Sequence, residues 1–196
     1  MTFLDINRTE DNIFRLVDIA LTYIKRNIRW RAEIGSVTRE EIPEIPLRAL
    51  REIVINSFAH AEYGTGSQHE IDIHPGKVGI YNPGTFPSEF SPEDFATKNL
   101  SSIIRNELIA KVLYICHDIE SFGSGFKRVY ALCNAENVPC SYEKTPIGFS
   151  FIFLRNDPNA QRNVSESEQN VSVALSKTEK AVYQLLKLQP NLTRKE

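Results

Sequence analysis

The sequence has few of the features that mark a specialised class of protein. Its 196 residues include no apolar run close to the roughly 20 residues that span a bilayer, and its first residues form neither the basic nor the apolar segment of a signal peptide. Three cysteines are too few, and odd in number, for a disulfide framework, so buried free thiols are expected. We therefore expect a cytoplasmic protein without a membrane partner.

An excess of charge of either sign is also missing. The chain carries 23 basic and 25 acidic residues, which gives a formal net charge of −2 and no global attraction to nucleic acid. It has no G-x-x-x-x-G-K-[ST] motif for nucleotide phosphates. With 41% hydrophobic residues, its composition is that of an ordinary globular domain with a sizeable core.

Apolar residues recur at helical spacing in four segments. The first covers residues 13–28 and the second runs from about residue 46 to residue 63, with Pro46 in its first turn. A third predicted helix follows Arg105, and a fourth begins at the glycines 123 and 125.

Period-two alternation predicts three strands. Residues 68–74 and 77–81 form a hairpin around Pro75-Gly76, and the turn Asn82-Pro83-Gly84 ends its second strand. Residues 148–154 are apolar on both sides, which predicts a strand that is covered on both faces or lies near a domain junction.

Three further segments lack strong periodicity. Residues 30–35 could be strand or loop, and the polar residues 85–104 have the length of a lid or binding loop. Residues 156–174 have the composition of a linker. A capping box opens an amphipathic helix in residues 175–196, which we interpret as the truncated start of a further helical domain.

Four polar constellations could carry chemistry. Glu52, Asn56 and His60 follow one another at four-residue steps, so they share one side of the second helix. Asparagine oxygen can ligate Mg²⁺, and a carboxylate one turn away can activate water. Taken alone, this stripe is more typical of a solvated helix face.

The other three constellations also have ordinary structural readings. Gly123 and Gly125 precede a helix N-terminus, which favours phosphate but is also a common turn. Asn82 and Gly84 could approach a nucleobase or simply end a strand. Arg105 could bind phosphate oxygens or be a surface arginine.

The order of these motifs is more specific than any one of them. ALREIVINSFAHAEYG, IYNPGTFP, SSIIRNELIAKVL, IESFGSGFKRV and the Phe-rich last strand follow one another along residues 10–155. This series resembles the RecG-like C-terminal ATPase region, a family with the GHKL or histidine-kinase-like ATPase fold, found in bacterial proteins that resemble transcriptional regulators.

The resemblance implies a fold and a site. The fold would be an α/β two-layer sandwich, with a mostly antiparallel sheet and helices on one face, over residues 1–155. Glu52 would be the water-activating, catalytic carboxylate and Asn56 the Mg²⁺ ligand. The residues implied to contact ATP are Asn56, Asn82, Gly84, Arg105, Gly123 and Gly125, with residues 85–104 as the lid.

The resemblance also implies a biological role. The chain would be an ATP-binding regulatory module that couples Mg-ATP binding to DNA binding by a winged helix starting near residue 175. DNA would be contacted through the full-length protein rather than through residues 1–196, and a homodimer is a further expectation. His60 receives no role.

One departure from the family pattern keeps an alternative open. GHKL ATPases carry D-x-G-x-G where this chain has Asn82-Pro83-Gly84, so the charge of the adenine-binding aspartate is lost. The alternative is a degenerate GHKL-fold scaffold for dimerisation or domain packing that binds no nucleotide. Whether ATP is hydrolysed stays open, with at most a weak ATPase activity expected, and helicase activity is not expected.

Overall fold

The computed structural model describes residues 5–34, 39–98, 100, 104–117 and 125–155. The chain divides into two units, and all the described residues belong to the first, Met1–Asn156. The predicted linker and winged-helix start therefore lie outside the described residues, as does Gly123.

A four-stranded antiparallel sheet forms one layer of this unit. It is built from β3 (Glu70–His74), β4 (Lys77–Pro83), β5 (Cys140–Lys144) and β6 (Gly148–Leu154), in the order β3-β4-β6-β5. Strand β4 pairs with β3 on one side and with β6 on the other, so it lies inside the sheet. Two further strands, β1 (Trp30–Ile34) and β2 (Arg39–Pro43), pair with each other in a separate two-stranded sheet.

Helices form the second layer. They are α1 (Ile13–Asn27), α2 (Leu47–Ala59), α3 (Pro92–Thr97), α4 (Glu107–His117) and α5 (Gly125–Ala135). Helix α2 is central, because it contacts α1, α4, α5 and strand β4. The fold is therefore the predicted two-layer α/β sandwich.

The core lies between the sheet and the helices. Val54 of α2, Val129 of α5 and Phe151 of β6 are at most 1% exposed and belong to one apolar cluster with Ile80 of β4. Nine of the thirteen residues of α2 are buried, among them Glu52. Since most of this helix is buried, its polar side chains Glu52 and Ser57 are surrounded by protein rather than by water.

Several boundaries differ from the sequence-based predictions. Helix α2 ends at Ala59 rather than near residue 63, where Tyr63–Thr65 instead forms a 3₁₀ turn, and Pro46 is its N-cap rather than a residue of its first turn. The ambiguous residues 30–34 are a strand, and Asn82 and Pro83 still belong to β4.

The largest differences concern the sheet edge and the predicted lid. Strand β5 was not predicted, and β6 is not covered on both faces, because Leu154 is 40% exposed while Phe151 and Phe153 are buried. The segment predicted to be irregular contains α3, whose N-terminus has a capping box formed by Ser91 and Asp94. Within the described residues, no helix combines the length and apolar character needed to cross a membrane.

Candidate functional site

A cavity of about 330 Å³ lies where α2, β4, β6 and the start of α5 meet. Its volume falls in the range that accommodates a small organic ligand. The residues predicted from sequence to bind a cofactor and found in its lining are Asn56, Asn82, Gly84, Arg105 and Gly125. These residues come from four separate segments of the chain, so only the fold brings them together.

The greater part of the cavity wall is apolar and aromatic. Ile53 and Ile80 contribute from helix and sheet, and Phe86 stacks on Phe149 with ring centroids 4.5 Å apart. Phe126, from the first turn of α5, also lines the cavity and packs edge-on against Phe86. Such a wall suits a flat, weakly polar group.

Asn82 is the buried polar group of the sheet side of this cavity. It is 6% exposed and is held by strand β4, opposite Phe149 of β6. Its side-chain nitrogen donates a hydrogen bond to the carbonyl oxygen of Pro83 at 3.2 Å. The side-chain oxygen is an acceptor that can recognise an N–H group of a ligand.

Glu52 lies beside the cavity, next to the lining residues Asn56 and Gly125. A β-carbon added to Gly125 would lie 2.6 Å from Oε1 of Glu52 and 2.9 Å from Nδ2 of Asn56. Residue 125 must therefore be glycine for α5 to pack this closely on α2. Glu52 itself does not line the cavity in this conformation.

The two carboxylate oxygens of Glu52 differ in their surroundings. Oε2 accepts a hydrogen bond from Nη2 of Arg128 at 3.1 Å. Oε1 is fully buried and has no hydrogen-bond partner within the described part of the chain. A buried acceptor without a donor costs about 1–3 kcal/mol, so a hydrogen-bond donor supplied to this atom would stabilise the site.

Arg105 lines the cavity, but its guanidinium is engaged by the protein. Nη1 donates to the carbonyl oxygen of His60 at 2.7 Å, and Nη2 donates to that of Thr85 at 3.0 Å. Nε lies 3.6 Å from Oε2 of Glu62. Arg105 therefore joins the end of α2 to the segment after β4; a phosphate contact by this side chain stays a prediction.

Asn106, the neighbour of Arg105, also contacts the end of α2. Its side-chain nitrogen donates to the carbonyl oxygens of Ala59 at 3.1 Å and Ala61 at 2.8 Å. The carbonyl of Ala59 is among those that a helix leaves without an internal donor at its C-terminus, and the carbonyl of Ala61 belongs to the segment just after the helix. Arg105 and Asn106 together thus close the end of the helix that carries Glu52 and Asn56.

The predicted lid is docked on the domain through its described residues. Lys144 donates to the carbonyl oxygens of Pro87, at 3.1 Å, and Phe90. The hydroxyl of Tyr130 donates to Oε1 of Glu93 at 2.7 Å, and burial, together with this carboxylate, raises the pKa of Tyr130. Arg128 and Tyr130 were both missed from sequence, although Arg128 follows the glycines of Gly-Ser-Gly125 by three residues.

The donor groups present are compatible with Mg²⁺ only if a ligand completes its shell. Among the described residues, no cluster of three or more histidine, cysteine, aspartate or glutamate side chains could hold a metal ion. Asn56 and the neighbouring Glu52 offer few protein oxygens. Mg²⁺ typically keeps several waters and uses one or two protein groups together with substrate phosphates, so the residues fit this ion in that form.

Comparison with known proteins gives a family match over part of the chain and a structural match for the fold. Residues 66–153 match the family described as "Putative ATP-dependent DNA helicase recG C-terminal". No curated protein matches the chain. Among solved structures, the chain is similar to the DIP2311 protein from Corynebacterium diphtheriae, with a TM-score of 0.60 and 17% sequence identity.

The structural match extends beyond the family match but covers only part of the other protein. It includes 72% of this chain and 29% of the DIP2311 chain, so this chain spans less than a third of that protein's length. At this identity the match shows the fold alone. The region that matches the family, residues 66–153, contains Asn82, Gly84, Arg105 and Gly125 of the cavity. The match over residues 66–153 supports the resemblance to the RecG C-terminal-like ATPase region that the sequence motifs indicate.

Proposed function

We propose that residues 1–155 bind ATP with Mg²⁺ and act as the regulatory module of a cytoplasmic bacterial transcriptional regulator. One observation carries the nucleotide-binding part. Five residues that the sequence nominated for a nucleotide, from Asn56 to Gly125, line a single cavity of about 330 Å³ with aromatic walls.

Different parts of the cavity wall contact the adenine, the Mg²⁺ ion and the phosphates. The aromatic part around Phe86 and Phe149 takes the adenine ring, and Asn82 accepts a hydrogen bond from its exocyclic amine. Asn56 ligates Mg²⁺. The free N–H groups at the start of α5, near Gly125, face the phosphates, because a helix N-terminus favours anions.

Glu52 is the candidate base for hydrolysis, and Arg105 shapes the cavity. The unpartnered Oε1 of Glu52 is the atom able to accept a proton from water. In this conformation Glu52 pairs with Arg128 and is absent from the cavity lining, so binding without turnover is the state that the geometry favours. Arg105 holds the carbonyl of His60 in place.

Calorimetric titration of the chain with ATP in the presence of Mg²⁺ tests this proposal. We expect measurable binding and an ATP-dependent rise in melting temperature, and we expect Asn56→Ala to remove most of that rise. Asn134→Ala is the matched control, because Asn134 is an exposed asparagine of α5 outside the cavity lining. No heat with ATP, together with identical melting of both variants in ATP, would exclude nucleotide binding.

That negative result would favour the alternative, a scaffold that serves only dimerisation or domain packing. The separation of Glu52 from the cavity supports this second candidate. Coupling to DNA is proposed for the full-length protein through a winged helix that begins near residue 175. We expect residues 1–196 alone to bind DNA weakly or not at all, and a strong, salt-dependent mobility shift with this chain would contradict that expectation.

A further inference from the structure

We propose that Arg128 is a phosphate-binding residue of the nucleotide site, and that its guanidinium exchanges between Glu52 in the free protein and the phosphate oxygens in the complex. The inference rests on the proposed function and adds a residue to it. It depends on two side chains: Arg128, which has N–H donors that are not used in hydrogen bonds to the described residues, and the buried Glu52, whose Oε1 accepts no hydrogen bond.

Arg128 is the arginine near the cavity that has donors to spare. A guanidinium carries five N–H groups. Arg105 directs all three of its nitrogens at protein oxygens, whereas the one hydrogen bond described for the guanidinium of Arg128 is the contact from Nη2 to Glu52. The side chain of Arg128 is 30% exposed, so it can move into solvent or toward a ligand.

The position of Arg128 is suited to phosphate. It lies in the first turn of α5, three residues after Gly125, and Gly125 both lines the cavity and packs on Asn56. The positive end of the helix dipole and a guanidinium act on an anion in the same direction, and arginine binds phosphate in bidentate fashion.

The ion pair with Glu52 explains what holds the guanidinium of Arg128 in place when no ligand is bound. A buried carboxylate without a cationic partner is strongly destabilising, and Glu52 is only 6% exposed. The pair is nevertheless incomplete, since it uses one oxygen of Glu52 and leaves Oε1 without a donor. An incompletely satisfied ion pair is one that a ligand with competing charges can open.

Exchange predicts opposite effects for the two partners. Replacing Arg128 removes a phosphate contact, so affinity for a nucleoside triphosphate falls. Replacing Glu52 by glutamine removes the competing partner, so Arg128 becomes available and affinity rises. If the ion pair had only a structural role, substitution of Arg128 and substitution of Glu52 would change nucleotide affinity in the same direction, because each breaks the same contact.

The experiment measures dissociation constants for three probes: ATP with Mg²⁺, inorganic tripolyphosphate and adenosine. For Arg128→Gln we expect ATP and tripolyphosphate to bind about ten- to a hundredfold more weakly, with adenosine affinity unchanged. For Glu52→Gln we expect ATP to bind several-fold more tightly. Lys127→Gln, which removes the same charge from an exposed neighbour on α5, is the matched control and should change each constant by less than about twofold.

Since Arg128→Gln leaves Glu52 buried and unpaired, the double variant Glu52→Gln/Arg128→Gln provides a second measurement. It carries no buried charge at this position, and we expect its ATP affinity to resemble that of Arg128→Gln rather than that of Glu52→Gln. Equal ATP affinity in the double variant and in Glu52→Gln would overturn the inference.

The remaining outcomes separate this inference from the proposed function. If the native chain binds ATP and Arg128→Gln binds it equally well, Arg128 has no phosphate role and nucleotide binding stands. The native chain could bind tripolyphosphate through Arg128 but bind ATP no more tightly than tripolyphosphate. In that case the phosphate role of Arg128 stands and the proposed adenine site is wrong. If neither ATP nor tripolyphosphate binds, both are wrong.

Discussion

Arg105 and Gly84 depend on each other in a way that the sequence does not reveal. The guanidinium of Arg105 occupies the place where a β-carbon of residue 84 would lie, and Gly84 has a φ of +109° that side-chain-bearing residues rarely adopt. The glycine at the end of β4 is thus required twice: once for its backbone angle and once to admit the arginine that holds the carbonyls of His60 and Thr85.

Substitution of Gly84 by alanine should destabilise the domain through both effects. We expect a loss of about 3 kcal/mol in the free energy of unfolding, measured by urea denaturation. Gly66→Ala is the matched control, because Gly66 has a φ of +69° but nothing within 4 Å of an added β-carbon. That variant should lose only about 1 kcal/mol, the cost of the backbone angle. Equal losses in the two variants would show that the contact with Arg105 contributes nothing.

Removal of the Asn106 side chain should weaken the end of α2. Its amide serves the carbonyl oxygens of Ala59 and Ala61, and alanine leaves both of them without this donor. We expect Asn106→Ala to lower the free energy of unfolding by about 2 kcal/mol. Asn134→Ala, at an exposed position of α5, should remain within about 0.5 kcal/mol of the native chain. A change of similar size in both variants would argue against a specific capping role for Asn106.

Glu44 should make stability dependent on acidity. Its carboxylate accepts hydrogen bonds from the backbone N–H of Arg29 at 2.7 Å and from the guanidinium of Arg155, with Arg155 Nη2 at 2.7 Å. Burial alone would raise the pKa of Glu44, but its hydrogen bonds to Arg29 and Arg155 and the charge of Arg155 outweigh it and hold the pKa below the ordinary value of 4.5. Because the folded pKa is the lower one, the stabilisation is complete above 4.5 and is lost as pH falls through the folded value.

Unfolding curves of native protein and Glu44→Gln at several pH values test this dependence. At pH 7 the variant should be less stable by about 2 kcal/mol, and the difference should shrink as the pH falls below the ordinary carboxyl pKa. Glu41→Gln is the control, since Glu41 pairs with Arg39 on the surface and both side chains are more than 60% exposed. Its effect should stay within about 0.5 kcal/mol. A difference for Glu44→Gln that does not depend on pH would contradict the assignment.

Asn82 should contribute to binding of the nucleobase and not of the phosphates. We expect Asn82→Ala to weaken ATP binding about tenfold, because it removes the buried acceptor proposed for the adenine amine. Tripolyphosphate affinity should be unchanged, the reverse of the pattern expected for Arg128→Gln. Equal weakening of ATP and tripolyphosphate would mean that the substitution disturbs the whole site rather than base recognition.

Elements with a strong local pattern could be predicted from the sequence. The apolar stripe of residues 13–28 became α1, and the alternating residues around Pro75-Gly76 became the β3–β4 hairpin. Helix α3 was missed although its capping box, Ser91 to Asp94, was visible, because the short helix has too few residues for periodicity. Strand β5 was missed because its pairing with β6, rather than any alternation of its own, makes it a strand.

By itself, the sequence determined the two-layer fold, the resemblance to a family, and five of the residues that line the cavity, because motif order and apolar periodicity are properties of the linear chain. Only the tertiary structure decided how those residues are used. It directed Arg105 to backbone oxygens 45 and 20 residues away, and it paired Glu52 with Arg128, 76 residues further along. Hydrogen-bond partners at such separations depend on packing geometry, which local sequence does not encode.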